Sequence, residues 1–250
     1  MKPNIIQVAY IHHSGFFVKA DNKLLIFDYF SDHADNEQRD KNIRFVSDAV
    51  HDTLVEQVFI FVSHGHRDHF DPDVFAFNNL GKKTRYILSS DVEVDKPLEN
   101  CYFIDPYKEM QIDDVQIKTY GSTDEGVSFL ASFNGCTVFH AGDLNWWHWQ
   151  DESTPAELAE YERSFKEVIS KMEGENIDVA FFPVDPRLQE YGHIGGAYFL
   201  DKLKPQAFFP MHFWDNFDFT QIFSKKMQGD HAESKIYTID HVRQRFDLEF

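Results

Sequence analysis

Cysteine is nearly absent from this 250-residue chain. Cys101 and Cys136 are too few for a disulfide framework or a thiolate metal site and are expected to pack as small apolar residues. Basic charge is also scarce: 24 Lys and Arg stand against 42 Asp and Glu, a formal net charge of −18. A surface so acidic repels a polyanion, so long nucleic acids are not expected as substrates. No stretch approaches the roughly 18 apolar residues that span a bilayer, and the segment Met1–Gln7 has no signal-peptide character. A cytoplasmic protein of one domain, residues 1–250, is expected, with a small molecule as its partner and no oligomeric state legible. Repeats, low-complexity tracts and linkers are missing too. What is abundant is histidine, with 13 residues, and phenylalanine, with 26; a generic fold requires neither.

Apolar runs predict a strand at Ile5–Ile11, a second at Ser14–Ala20 and a hairpin into Lys23–Phe27. The polar stretch Ser31–Lys41 reads as a loop before a helix around Phe45–Glu56. Gln57–Ser63 is apolar on both faces, as a buried strand is, and Asp71-Pro72 opens a helix ending near Gly81. Short strands at Arg85–Leu88, Cys101–Ile104, Val115–Tyr120, Val127–Ser132 and Cys136–Ala141 read as a meander. Ser153-Thr154-Pro155 starts a helix to about Met172, followed by a strand at Ile177–Phe182. A helix at Ala197–Leu203, a strand at Gln206–Met211, a helix at Thr220–Met227 and a strand at Lys235–Ile239 complete the chain. The pattern predicts two sheets covered outside by helices.

The most informative segment follows the most apolar strand: Ser63-His64-Gly65-His66-Arg67-Asp68-His69. Chance delivers this register of three His and one Asp only a few times per thousand chains of similar composition. In a loop leaving a strand, His64 and His66 can turn their imidazoles to one point, and Asp68 with His69 to a neighbouring one. Four such groups crowded together without a cation repel or desolvate one another, so the geometry suits two metal ions. Other strands also end in such groups: Leu24–Phe27 in Asp28, Cys136–Ala141 in Asp143 after Gly142, and Gln206–Met211 in His212. If those strands run the same way, their polar ends meet at one rim, with Asp143 and His212 as ligands and Asp28 orienting a ligand histidine from behind.

His64-Gly65-His66-Arg67-Asp68-His69 resembles the signature of the metallo-β-lactamase superfamily. Ile11-His12-His13-Ser14-Gly15-Phe16, Phe139-His140-Ala141-Gly142-Asp143 and Pro210-Met211-His212-Phe213 resemble segments of its branch containing ascorbate-phosphate lactonase and N-acyl-phosphatidylethanolamine phospholipase D. The resemblance implies an α+β fold, the four-layer αββα sandwich. It also implies one or two zinc ions, with manganese or iron as alternatives, held by His64, His66, Asp68, His69, Asp143 and His212. One position departs from the pattern: relatives carry a further His at a strand end where this chain reads Thr119-Tyr120-Gly121-Ser122-Thr123-Asp124, and no His occurs from Asp71 through Phe139. His13, His193 or water is the expected substitute, and a one-metal centre is an alternative.

These ligands imply a hydrolase that uses metal-activated water on a small ester, lactone or phosphodiester. Asp68 and Asp143 hold the nucleophile. His193, by resemblance, protonates the leaving group or contacts a phosphate, with helix capping as its plain alternative. His140 reads as a core residue. Aromatic residues at Trp146–Trp149 and Phe213–Phe219 form a wall for an apolar group, or simply pack the loops. The competing readings are a metal-binding module without activity, and di-iron redox chemistry, whose relatives carry a Glu where His66 stands.

Overall fold

Each of the first three apolar runs forms a strand: β1 (Ile6–His12), β2 (Gly15–Ala20) and β3 (Lys23–Phe27). They pair antiparallel, and Asp21, with a positive φ of 51°, turns the hairpin between β2 and β3. The computed structural model describes residues 5–31 and 35–249. By backbone contacts the chain falls into two compact units, residues 1–105 with 241–250, and residues 106–240.

In the first unit, helix α1 (Asn36–Val50) carries the chain from β3 to β4 (Gln57–Val62), which pairs parallel to β3. The helix begins nine residues before the expected position and stops before Glu56. Asp35 caps it, its carboxylate accepting from the Glu37 and Gln38 amides, so a polar stretch that reads as loop is the solvent-facing start of a helix. Asp32, His33 and Ala34 of that stretch lie outside the described residues. The segment opened by Asp71-Pro72 is a 3-10 helix, Pro72–Asn79. Strands β5 (Lys83–Ser89) and β6 (Cys101–Ile104) continue the sheet in parallel, which corrects the meander expected there. The sheet order is β14-β1-β2-β3-β4-β5-β6, with β14 (Arg245–Leu248), which the periodicity missed, on the edge beside β1. Phe17, Leu24, Ile26, Val46, Val58 and Ile60 are fully buried in one cluster between this sheet and α1, and each such side chain contributes about 1.5–3 kcal/mol.

The second unit repeats the plan, antiparallel strands first and parallel strands after them. Strands β7 (Glu109–Ile112), β8 (Val115–Tyr120), β9 (Ser128–Phe133) and β10 (Cys136–His140) are the antiparallel meander. Asn134 and Gly135, both at positive φ, form the two-residue turn between β9 and β10. From β10 the pairing becomes parallel, through α2 (Pro155–Ser170) to β11 (Val179–Pro183), through α3 (Ile194–Leu203) to β12 (Ala207–Met211), and through α4 (Phe217–Met227) to β13 (Lys235–Ile236). Thr154 and Glu157 form a reciprocal capping box at the start of α2. The phenylalanine excess is used here: Phe139, Phe182 and Phe208 stack or tilt against Phe199 of α3, and Phe223 of α4 stacks on Phe208. The two large sheets with their helices have the mixed α and β composition expected from the sequence.

Candidate metal centre

Parallel pairing explains why the polar groups gather. In the first unit the register sets Phe27 opposite Phe61, so β3 and β4 end side by side, and Asp28 leaves one strand where Ser63 and His64 leave the other. Asp28 is fully buried, at a positive φ of 41°, a conformation costing a non-glycine residue about 1 kcal/mol or more. Its carboxylate accepts from the Ser63 amide at 2.7 Å, from Ser63 Oγ at 2.6 Å and from His69 Nδ1 at 2.7 Å.

These bonds fix two imidazoles. His69 gives its Nδ1 proton to Asp28, which leaves Nε2 as the lone-pair nitrogen. Ser63 Oγ spends its only proton on Asp28, so at 3.0 Å it accepts from His64 Nδ1, and His64 Nε2 becomes the lone-pair nitrogen as well. That nitrogen stands 3.0 Å from His66 Nδ1. His13, Asp68 and His69 each bring one donor atom within 4.8 Å of one another, with His13 Nε2 3.3 Å from Asp68 Oδ2. Thus the unit holds two clusters, His64 with His66 and His13 with Asp68 and His69. Burial pushes the Asp68 carboxyl up, but the hydrogen bond from His13 and the charges of His69 and His13 outweigh it and hold the group well below the usual carboxylate range.

In the second unit the aligned ends of β10, β11 and β12 deliver Asp143, Asp185 and His212. His140 shapes the exit of β10, its Nδ1 accepting from the Gly142 amide at 3.1 Å. His212, at φ 63°, has Nδ1 2.9 Å from Asp185 Oδ2 and Nε2 3.3 Å from Asp143 Oδ1. Burial raises the Asp185 carboxyl, and the bonds from His212 and Arg187 more than reverse this, so it stays ionised and takes the Nδ1 proton. The lone pair on His212 Nε2 therefore converges with a carboxylate oxygen, an arrangement a cation satisfies. Asp185 was not anticipated: Val184-Asp185-Pro186 has the form of a helix cap, and its amide bond from Arg187 is such a cap.

Aromatic residues surround His212. Trp147 donates Nε1–H to the Asp143 carbonyl and its ring centre lies 5.5 Å from that of the imidazole; that of Trp214 lies 6.2 Å away. The Arg187 guanidinium, held by Asp185, packs over Trp149 and Trp214. His193 is at the N-cap of α3 with no side-chain capping bond, so capping does not account for it. Its Nε2 accepts from Lys226 Nζ at 2.7 Å, and burial together with that ammonium lowers its pKa. Proton donation from His193 is thereby disfavoured, while contact with an anion is not.

Gly121 lies under the side chain of Tyr107. A Cβ there meets the hydroxyl of the exposed Tyr107 at 2.6 Å, so a side chain at this position requires that ring to move. Three residues later Asp124, which sequence reasoning passed over, brings a carboxylate within 4.8 Å of that of Asp143.

The sequence model of one family, the Beta-lactamase superfamily domain, matches residues 7–158. The chain belongs to this family. Among solved structures, this member of the superfamily is similar to Igni18, a novel metallo hydrolase from the hyperthermophilic archaeon Ignicoccus hospitalis, with 15% identity, coverage of 98% of this chain and 99% of that one, and a TM-score of 0.64. It is also similar to the metallo-beta-lactamase fold protein YhfI from Bacillus subtilis, with 11% identity, 98% and 99% coverage and a TM-score of 0.61. CmlA, a diiron beta-hydroxylase from Streptomyces venezuelae, is 10% identical with a TM-score of 0.58, over 100% of this chain and 55% of that one. At such identities the likeness shows the fold, and the two-sheet architecture matches the metallo-β-lactamase fold. No curated protein sequence matches the chain. Among the described residues, no helix is long and apolar enough to cross a membrane.

Proposed function

We propose that this superfamily member is a cytoplasmic, metal-dependent hydrolase of a small ester, lactone or phosphodiester. In this reading the two units work as one domain, and His64, His66, Asp68, His69, Asp143 and His212 hold one or two ions, zinc in the first place and manganese or iron otherwise. The observation that carries it is a device present in both units: a buried carboxylate, Asp28 or Asp185, takes the Nδ1 proton of a histidine at the end of parallel strands and leaves Nε2 as a donor. That donor chemistry fits a divalent transition-metal ion. When bound, such an ion acts as a Lewis acid and lets water ionise near neutral pH.

The chain's own residues supply the rest. Asp28 and Asp185 hold the imidazole tautomers. Asp68, ionised beside His13 and His69, holds the attacking water by accepting a hydrogen bond from it. Trp147, Trp149 and Trp214 keep solvent from His212 and offer a wall to an apolar part of the substrate. His193 and Lys226 together contact an anionic group. The segments Ile11–Phe16, Phe139–Asp143 and Pro210–Phe213 support the lactonase and phospholipase branch as the source of substrate analogues.

The Tyr107 hydroxyl over Gly121 favours a second reading, a metal-binding module without turnover. Elemental analysis of the purified protein, alongside a panel of esters, lactones and phosphodiesters, decides between them. Bound metal with turnover that chelation removes supports the hydrolase. One tightly held ion with no turnover supports the module, and turnover by metal-free protein overturns both.

A further inference from the structure

The turn Gly121–Gly126 is fastened to the exit of β10. Thr123 Oγ1 donates to the Asn145 carbonyl at 2.6 Å and accepts from the Asn145 amide at 2.9 Å. The Asp124 amide donates to Ser122 Oγ at 3.2 Å. The residue after Thr123 is thereby fixed against Asp143, and its carboxylate comes within 4.8 Å of the Asp143 carboxylate. Two carboxylates this close repel unless a proton or cation lies with them. The buried imidazole of His212 points at the same Asp143 group, with its other nitrogen committed to Asp185, so the site is a mixed nitrogen and oxygen donor set.

We infer that Asp124 is a ligand of the metal centre, acting with Asp143 on the same ion and filling the coordination position left open by Gly121. This rests on the metal-centre reading above and deepens it. Gly121 carries no donor, and Asp124 brings one from three residues further along the same turn. Exchanging imidazole for carboxylate also adds a negative charge and makes the donor set harder, which moves its preference from zinc toward manganese and ferrous iron.

The test is metal binding to the full chain, read by calorimetric titration with Mn²⁺ and Zn²⁺ and by the electron paramagnetic resonance spectrum of bound Mn²⁺. Asp124→Asn weakens Mn²⁺ at one site by about tenfold or more and alters its spectrum. Asp124→His raises the Zn²⁺ to Mn²⁺ affinity ratio by about tenfold or more. Thermal unfolding of the metal-free forms separates an effect on binding from one on folding. If the wild-type chain binds neither ion, the metal-centre reading fails and takes this inference with it. If the wild type binds metal, Asp143→Ala abolishes binding, and both Asp124 variants keep wild-type affinities and spectrum, the inference alone is overturned.

Discussion

The two units solve one problem with different amounts of chain. The first collects His64, His66, Asp68 and His69 from a single loop of six residues, and one carboxylate, Asp28, orients two of the imidazoles, His69 directly and His64 through Ser63. The second draws Asp143, Asp185 and His212 from the ends of three strands spread over 70 residues, and its orienting carboxylate serves one imidazole and an arginine. If these groups hold metal, the contiguous loop keeps its local spacing under small shifts of the sheet. The dispersed groups depend on the alignment of β10, β11 and β12.

The largest effect expected from breaking this contrast comes from Asp143→Ala. If the second unit contributes through that carboxylate, the variant loses bound metal, and hydrolysis falls by about three orders of magnitude or more. Metal retained at wild-type stoichiometry contradicts the role. Next in size, Asp28→Asn and Asp185→Asn each lower metal affinity by about 10–100-fold, the usual cost of losing an orienting partner. Because Asp28 governs two imidazoles, its variant has the larger loss, and equal losses in a titration of the two proteins refute the asymmetry. Asp28→Asn also leaves buried donors poorly paired, lowering stability by about 1–3 kcal/mol in urea unfolding.

His193→Gln is smaller. With the Lys226 bond weakened, KM for anionic substrates rises several-fold while kcat holds, and the effect fades as salt is added. A fall in kcat at constant KM restores the proton-donor role that the lowered pKa argues against. Smallest is a pH effect in the second unit, away from the ligands. Burial raises the Glu175 carboxyl, and hydrogen bonds from Lys118 and Tyr120 outweigh it and hold it low in the folded state. The stabilisation is present above the ordinary glutamate pKa and is lost as pH falls through the depressed folded value. The group is partly exposed, so about 1 kcal/mol or less is involved, and Glu175→Gln flattens the acid limb of a thermal stability profile.

The same contrast governs what the sequence made legible. The loop motif can be read because its spacing is local, and Asp28, Asp143 and His212 because each ends an apolar run. Asp185 escaped since its turn has an ordinary capping role as well, and Asp124 because the Gly121 position drew attention to a missing histidine while the turn geometry that compensates lies in Thr123. Strand direction was not encoded in periodicity: β5 and β6 are short apolar runs like those of a meander, yet the connection between them reverses the chain before β6 begins. The edge strands β7 and β14 alternate polar with apolar residues, but at four residues each the pattern is too short to stand out from the surrounding chain.

All four tryptophans of the chain, Trp146, Trp147, Trp149 and Trp214, lie in the second unit, and two have rings within 6.2 Å of the His212 ring. Indole emission is quenched by a protonated imidazole at contact and by paramagnetic ions nearby. Ultraviolet fluorescence therefore serves as a label-free gauge of what happens at that histidine, with no competing signal from the other half of the polypeptide.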